Sequence, residues 1–469
     1  MKKTILYIAL FLGLGSTIYA QCFSSISSGF VHVLGKKTDG SYWGWGYNQG
    51  GYFGNGTGED SYVPLQLTNT ANWQSYKAGD SNSFVIKTDG TLWATGLNSY
   101  GQLGLSTSGN EYLTFTKVGT ATNWEAISAA SSFTIALRQN GTLWGSGQNV
   151  YNQLGLGSAA ANYVYSFVQI GTASNWKTMA TSGCNSSVGI KTDGTLWGWG
   201  SNSCYVFGGS DVSTFNVPKP LTVTTDTDWD KVAGGGGHFL ALKTNGTLWC
   251  WGDGGAGQTG HDPVLGFTSS ELNQIPGSWK AMAGGSRYSM GIKTDGTLWQ
   301  WGNNNITEIN PSATNYSYIP VQLGTATNWE SISCGNYHAV ALRSDGSLWS
   351  WGRNVFGELG NGTTTPQAAP TQLVIAGCAL GTEEFTAEPR FTISPSPAQQ
   401  DIAVTYNGTQ RVDNIIIYDL SGKQVYTLEA MGNTNFSSSF NIGQLAAGSY
   451  ILALQQAGKT VVSKRFVKQ

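Results

Sequence analysis

Residue types that commonly do chemistry are few in this chain, and their spacing is that of a repeat. Three of the four histidines, His32, His238 and His338, each stand eight residues ahead of a glycine in one recurring phrase. A shared phase means a shared structural slot, so these rings are held apart and cannot converge as metal ligands. His261 lies alone in a loop after Gly260. Asp39, Asp89, Asp193, Asp295 and Asp345 occupy the turn of the phrase, where Asp is a turn former, and do not read as a glycosidase pair. The run Gly234-Gly235-Gly236-Gly237 lacks the Lys-Ser/Thr that would make it a phosphate loop. No cysteine pair has the Cys-x-x-Cys spacing of a zinc site, and no nucleophile, base and orienting group stand together. No catalytic, cofactor-binding or metal-ligating residue is therefore expected.

Recognition is a better prospect than catalysis. Ten residues after the phrase glycine the chain carries Gly50, Tyr100, Tyr151, Cys204, Ala256, Ile306 and Phe356. Positions that vary on a fixed frame are where binding residues gather. Tyr100, Tyr151 and Phe356, with the neighbouring Tyr52 and Tyr205, are expected to form an aromatic patch that anchors a partner. The alternative is that these rings cover the core beneath their loops.

The frame is the phrase itself, Asp/Asn-Gly-Thr/Ser-Leu-Trp with Tyr for Leu in the first copy. It recurs seven times about 50 residues apart, at Gly40, Gly90, Gly141, Gly194, Gly246, Gly296 and Gly346. A tryptophan follows each glycine by three residues, and a second follows two further on in five copies. A third series, Trp73, Trp124, Trp176, Trp229, Trp279 and Trp329, lies some 17 residues upstream. These three series use all 18 tryptophans, so none is left over as a lone functional aromatic. Asp-Gly or Asn-Gly between apolar runs predicts a two-residue hairpin with positive φ at both central residues. With a strand upstream, each copy makes a unit of about four short antiparallel strands, and no helical period intervenes. Seven such units predict an all-β, seven-bladed β-propeller in which the indoles pack blade against blade.

Ring closure has its own signature. Counting back 17 residues from Gly40 reaches Phe23, an aromatic in phase with the upstream tryptophans. Cys22 precedes it, and Cys378 has the same phase one full turn of the array later. A disulfide between Cys22 and Cys378 is expected to clasp the ring, worth roughly 2–4 kcal/mol. Cys184 and Cys204 lie ten residues either side of Gly194 and form a second candidate pair. Cys250 and Cys334 have no assigned partner.

The ends read differently. Residues 1–20 combine Lys2-Lys3, an apolar stretch from Ile5 to Leu14 and a finish at Ala20, as in a secretory signal peptide. The propeller is expected over 21–374, a linker over 375–390, and a small β-sandwich over 391–469 with strands at 401–406, 414–419, 424–428, 449–454 and 460–466. A net charge of −2 with 11% charged residues offers no basic track for a nucleic acid. No membrane span is expected either, since no other stretch is long and apolar enough.

The phrase resembles the repeat of the regulator of chromosome condensation family. The residues that carry the resemblance include His338, Ala341-Leu342, Asp345-Gly346, Leu348-Trp349, Trp351-Gly352, Asn354, Gly357 and Leu359-Gly360-Asn361-Gly362, and the repeat runs from about Cys22 to Val374. A secreted bacterial branch, which includes the β-lactamase inhibitor protein II, is the more similar, and implies a platform that meets a protein partner through aromatic loop residues; a monomer is expected. Residues 391–469 resemble the type A sorting domain of type IX secretion in Bacteroidetes. Its marks here are Ser394-Pro395-Ser396-Pro397, Ile415-Ile416-Ile417-Tyr418-Asp419-Leu420-Ser421-Gly422-Lys423, Gly448-Ser449-Tyr450-Ile451-Leu452 and Lys464-Arg465-Phe466-Val467-Lys468. That resemblance implies recognition by the secretion machinery, removal by a sortase, and a mature protein released or held at the outer-membrane surface. The expected function is a non-enzymatic binding scaffold without cofactors, its propeller face recognising a protein. A glycan-binding lectin-like adhesin, a polysaccharide-active enzyme and a guanine-nucleotide exchange factor stand as alternatives.

Overall fold

In the computed structural model the described residues are 23–375, apart from 69, 208–213, 222–223, 261–267, 304–315 and 374, and 390–469, apart from 396, 420–422 and 457–458. The chain divides into two compact units, Met1–Leu380 and Gly381–Gln469. Every regular element among the described residues is a β-strand.

The first unit is a seven-bladed β-propeller. Its blades span 23–66, 73–117, 124–169, 176–220, 229–275, 279–322 and 329–372, and each is a four-stranded antiparallel meander taken in chain order. Blade 2 is representative: Trp73–Ala78 is innermost, followed outward by Asn82–Lys87, Leu92–Leu97 and Glu111–Lys117. The second strands are buried on both faces, whereas the outer strands are largely exposed. Among the described residues no strand is exchanged between the first blade and the last, so there the ring closes by packing and loop hydrogen bonds.

Phe23, Val33 and Trp45 of blade 1 share one apolar cluster with Val340, Leu342, Leu348 and Leu373 of blade 7. Ser28 N–H donates to Ser333 Oγ at 2.8 Å, Asn336 N–H to the Phe30 carbonyl at 3.0 Å, and Gly362 N–H to the Tyr62 carbonyl at 2.8 Å. Trp45 Nε1 donates to the Glu358 carbonyl at 3.0 Å. The same indole bond recurs at interior seams, from Trp251 to Val206 and from Trp301 to Gln258. Phe23 is 2% exposed and fills the slot that tryptophan fills elsewhere. The expected Cys22–Cys378 clasp lies outside the described residues.

The repeated phrase is a connected set of bonds. In blade 2, Trp93 Nε1 donates to Thr91 Oγ1 at 2.9 Å, and Thr91 Oγ1 donates to Asp89 Oδ1 at 2.6 Å. All seven phrase tryptophans donate to the hydroxyl of their own turn. A lysine or arginine two residues ahead of the Asp or Asn lies 3.4–3.8 Å from the centroid of a phrase indole ring in six blades. Lys243 is the exception: Asp226 and Asp228 draw its ammonium to 2.6 and 2.9 Å, and it stands 5.4 Å from Trp249.

The turn itself differs from the sequence expectation. Only its glycine takes positive φ, 74–85° across the seven copies, while the preceding Asp or Asn does not. Gly90 N–H donates to the Lys87 carbonyl and Lys87 N–H to the Thr91 carbonyl. That is the three-residue loop of a type I turn closed by a left-handed glycine, not a two-residue primed turn. The Asp carboxylate stays outside the left-handed region because there it can accept both the N–H and the hydroxyl of the following Thr.

The second unit is one five-stranded antiparallel sheet. Arg390–Ser394, Asp401–Asp419, Gly448–Gln456 and Lys459–Lys468 pair in that order, and Gln424–Asn441 pairs with Asp401–Asp419. The expected strands at 401–406 and 414–419 are one 19-residue strand with register breaks between Asn407 and Asn414. Ile402, Val404 and Tyr406 from its first half and Ile415 and Ile417 from its second enter one core with Leu452, Leu454 and Phe466.

Candidate binding face and central channel

In a four-stranded meander, the loop between the first two strands and the loop between the last two emerge at the same end. One end of the propeller therefore carries both loop sets, and the phrase turns lie at the other. The long loops on the first end are pinned by an asparagine. Asn98 Oδ1 accepts Leu103 N–H at 3.0 Å, and Asn48, Asn149, Asn202 and Asn354 make the corresponding bond. A second bond holds the variable position: Tyr100 N–H donates to Gln102 Oε1, Tyr151 N–H to Gln153 Oε1, and Phe356 N–H to Glu358 Oε2. Gly101, at φ +80°, lies so close to Tyr165 of the next blade that a Cβ would meet its ring at 2.5 Å. The loops are thus fixed supports for whatever side chain stands at the variable position.

The five candidate aromatics do not form one patch. Tyr100 and Tyr151 are 41% and 46% exposed, and Tyr100 stacks on Tyr163 of blade 3 with ring centroids 5.9 Å apart. Tyr163, Tyr165 and Val150, all of blade 3, are also exposed. Phe356 is half-buried against Tyr47 at the seam between blades 7 and 1. Tyr205 is half-buried on blade 4, where it replaces the loop glycine at φ +57°. Tyr52 is corrected outright: it stands where the loops of blades 2, 3 and 5 have Gln, turns inward, and is 4% exposed with its ring 5.1 Å from His32. Tyr52 is therefore a core residue.

Cys184 and Cys204 form a disulfide, with Cα atoms 6.2 Å apart, that ties the two loops of blade 4 together. Cys250 and Cys334 are free thiols. Burial pushes the Cys334 thiol up to about 12 and the Cys250 thiol higher, so neither is a ready nucleophile. His32 and His238 each bond the serine of the next blade, Ser83 at 3.0 Å and Ser289 at 2.8 Å. Burial holds His32, His238 and His338 down at about 3, which makes them neutral parts of the frame. His261 lies outside the described residues. No group of three or more His, Cys, Asp or Glu side chains among the described residues could hold a metal.

The innermost strands enclose a channel of about 620 Å³ that opens among the first set of loops. Its wall is mostly serine, alanine, glycine and backbone, with Ile127, Met179, Val232, Met282 and Ile332 set deeper along the strands. Among the described residues that line it, Lys77 and Asp80, both from blade 2, are the charged side chains. Sequence reasoning missed them. Superposing the seven repeats would have found Lys77, because the other six have Ser27, Ser128, Ala180, Ala233, Ala283 and Ser333 at its position.

Models of the regulator of chromosome condensation (RCC1) repeat match residues 77–102, 229–258 and 329–358, and a second RCC1 repeat model matches 345–381. The secretion system C-terminal sorting domain model matches 392–469. The chain carries RCC1 repeats and ends in a sorting domain of type IX secretion. That tail indicates a secreted or surface protein. The chain is 26% identical over 235 residues to the ultraviolet-B receptor UVR8 of Arabidopsis thaliana, an overlap of 50% of this chain and 42% of the receptor. It is 36% identical over 74 residues to the mitochondrial RCC1 domain-containing protein RUG3 of the same plant, covering 16% of this chain and 17% of that one. The match thus spans less than half the length of either relative. Among solved structures, yeast RCC1 (Prp20) in its complex with Kap60 has a TM-score of 0.64 at 18% identity, covering 84% of this chain and 93% of that one. Human WBSCR16 has a TM-score of 0.60 at 20% identity, covering 67% and 86%. At these identities the likeness shows the propeller fold alone.

Proposed function

We propose that the RCC1-repeat unit is a non-enzymatic binding scaffold whose long-loop end recognises a protein partner outside the cell, delivered there by the sorting domain. The observation that carries this reading is the placement of Tyr100 and Tyr151. Both are exposed, yet each backbone is fixed by a hydrogen bond to a buried glutamine. An ordered aromatic loses little side-chain freedom on binding, which is why tyrosine anchors interfaces. The flanking Tyr163, Tyr165 and Val150 extend the apolar surface, and the disulfide on blade 4 stiffens the neighbouring loops. The proposed domain limits are 21–374 for the scaffold and 391–469 for the module that the secretion machinery reads and a sortase removes.

A photocrosslinking residue at Tyr100 or Tyr151, set against one at Asp89 on the turn end, tests the reading in the secreting host. Discrete protein adducts from the loop positions and none from the turn support it. Dose-dependent binding to a glycan array that Tyr100→Ala abolishes would replace it with a lectin.

A further inference from the structure

Lys77 is out of keeping with its place in the fold. The other six blades have only serine or alanine at its position on the innermost strand. Its side chain is half-buried in the central channel, where an ammonium without a partner is costly. A lysine that merely kept the protein soluble would sit on the outer surface. Asp80 stands three residues nearer the loop-end mouth, with Ser131 of blade 3 against its carboxylate. Among the described residues neither group is closed into an ion pair, so more than 4.0 Å lies between the Lys77 ammonium and the Asp80 carboxylate. Burial lowers the lysine and pushes the Asp80 carboxyl up to about 6, and their attraction offsets part of each cost. One residue deeper than the level of Lys77, the channel is lined by Ile127, Met179, Val232, Met282 and Ile332, all but Met179 only half-buried.

The hydroxyls nearest this interval are already engaged. Ser128 Oγ and Thr181 Oγ1 hydrogen-bond each other at 3.0 Å, and Ser128 Oγ also accepts Thr181 N–H at 3.0 Å. What remains is a cation and an anion held apart, above apolar side chains that lack full cover. From this arrangement we infer that the channel binds a single free α-amino acid with a large apolar side chain. Its carboxylate meets Lys77, its ammonium meets Asp80, and its side chain rests on Ile127, Val232, Met282 and Ile332. The reach agrees. Three residues of strand separate the two backbones by up to about 10 Å. An α-amino acid with a charge-assisted hydrogen bond at each end spans about 8 Å. Each further residue of a peptide would add about 3.5 Å and overrun the interval. A simple carboxylate would leave Asp80 against apolar atoms, and a simple amine would do the same to Lys77. This site is separate from the aromatic loops, and its failure would leave the proposed binding face as it stands.

Calorimetry on the full chain, with L-leucine, N-acetyl-L-leucine, L-leucine amide and glycine as probes, tests the inference. Leucine should bind, and loss of the free ammonium, the free carboxylate or the side chain should each weaken binding about ten-fold or more. Lys77→Met should bring leucine down to the affinity of its amide without weakening the amide. Asp80→Asn should bring leucine down to the affinity of the acetylated probe without weakening that probe. A misfolded variant would lose all four probes together, and the wild-type series tests the inference without any variant. Tyr100→Ala should leave all four affinities unchanged. No leucine binding up to about 10 mM would overturn the inference. So would a blocked probe or glycine that binds as tightly as leucine, or undiminished leucine affinity in either channel variant at an unchanged melting temperature.

Discussion

Glu358 sits where blades 2, 3 and 5 have Gln102, Gln153 and Gln258, and its replacement by glutamine is a sharp test of how the ring is sealed. The Glu358 side chain is 1% exposed at the seam between blades 7 and 1. One carboxylate oxygen accepts Phe356 N–H at 2.8 Å; the other has no hydrogen bond and lies 3.9 Å from Arg353 Nε. Burial raises its carboxyl above the ordinary range, and Arg353 offsets only part of that. In Glu358→Gln, the Phe356 bond survives, since Gln102 and Gln153 make the same one at 2.9 Å. The new amide would have donors for the neighbouring loop, as Gln102 Nε2 has in its 3.1 Å bond to the Ser131 carbonyl. Removing the cost of the buried charge while gaining a hydrogen bond should stabilise the propeller by about 1–2 kcal/mol, or roughly 2–5 °C in melting temperature. The gain depends on pH. A carboxyl raised in the folded state supports folding below its unfolded value, near 4.3, and that support is lost as pH rises towards the folded value. Variant and wild type should therefore differ least near pH 4 and diverge further by pH 8, as scanning fluorimetry across that range would show. A variant that melts below wild type at pH 8 would refute the reasoning, because it would mean that the pair with Arg353 is net stabilising.

Acid should undo the frame through its histidines. With folded values at about 3 against an unfolded value near 6.5, their contribution is complete above pH 6.5 and is lost as pH falls towards 3. At pH 4.5 each costs roughly 2–3 kcal/mol, and His238→Tyr, the residue blade 6 carries there as Tyr288, should move the acid midpoint of denaturation down. Thr91→Val leaves Trp93 Nε1 and Asp89 without their bridging hydroxyl and should cost about 1–2 kcal/mol in urea unfolding. Cys184→Ser with Cys204→Ser opens a cross-link of sequence separation 20 and should cost about 2–3 kcal/mol, read as a lower melting temperature that reductant does not lower further.

The parts of the fold legible in the sequence are those fixed by a repeated constraint. Trp93, Thr91 and Asp89 are joined in one bond chain, so all three recur and the hairpin is visible in every copy. Phe23 was legible as a tryptophan substitute because the closing seam needs an aromatic of that phase. The outer strands were not, because a strand such as Glu111–Lys117 is mostly exposed and its sequence is only weakly constrained. The turn type was misread because Asp-Gly serves two loop lengths, and the deciding element is the Asp carboxylate's bonds to Thr. At the candidate face, spacing located the loops but not the direction of each ring. Tyr52 and Tyr100 lie two positions apart in the loop register, and one is buried while the other is exposed. Lys77 escaped notice because no local pattern surrounds a single charge; only its contrast with six small residues marks it.

Whether blade 7 truly meets blade 1 decides the rest, since an open array would have neither a channel nor a single loop-bearing end. Amide hydrogen exchange at the closing seam measures this directly. Ser28, Asn336 and Gly362 should exchange as slowly as Ala78, Gly236 and Gly56 respectively, which make the equivalent cross-blade bonds at interior seams. Fast exchange at those three amides, with Ala78, Gly236 and Gly56 still protected, would contradict the closed ring.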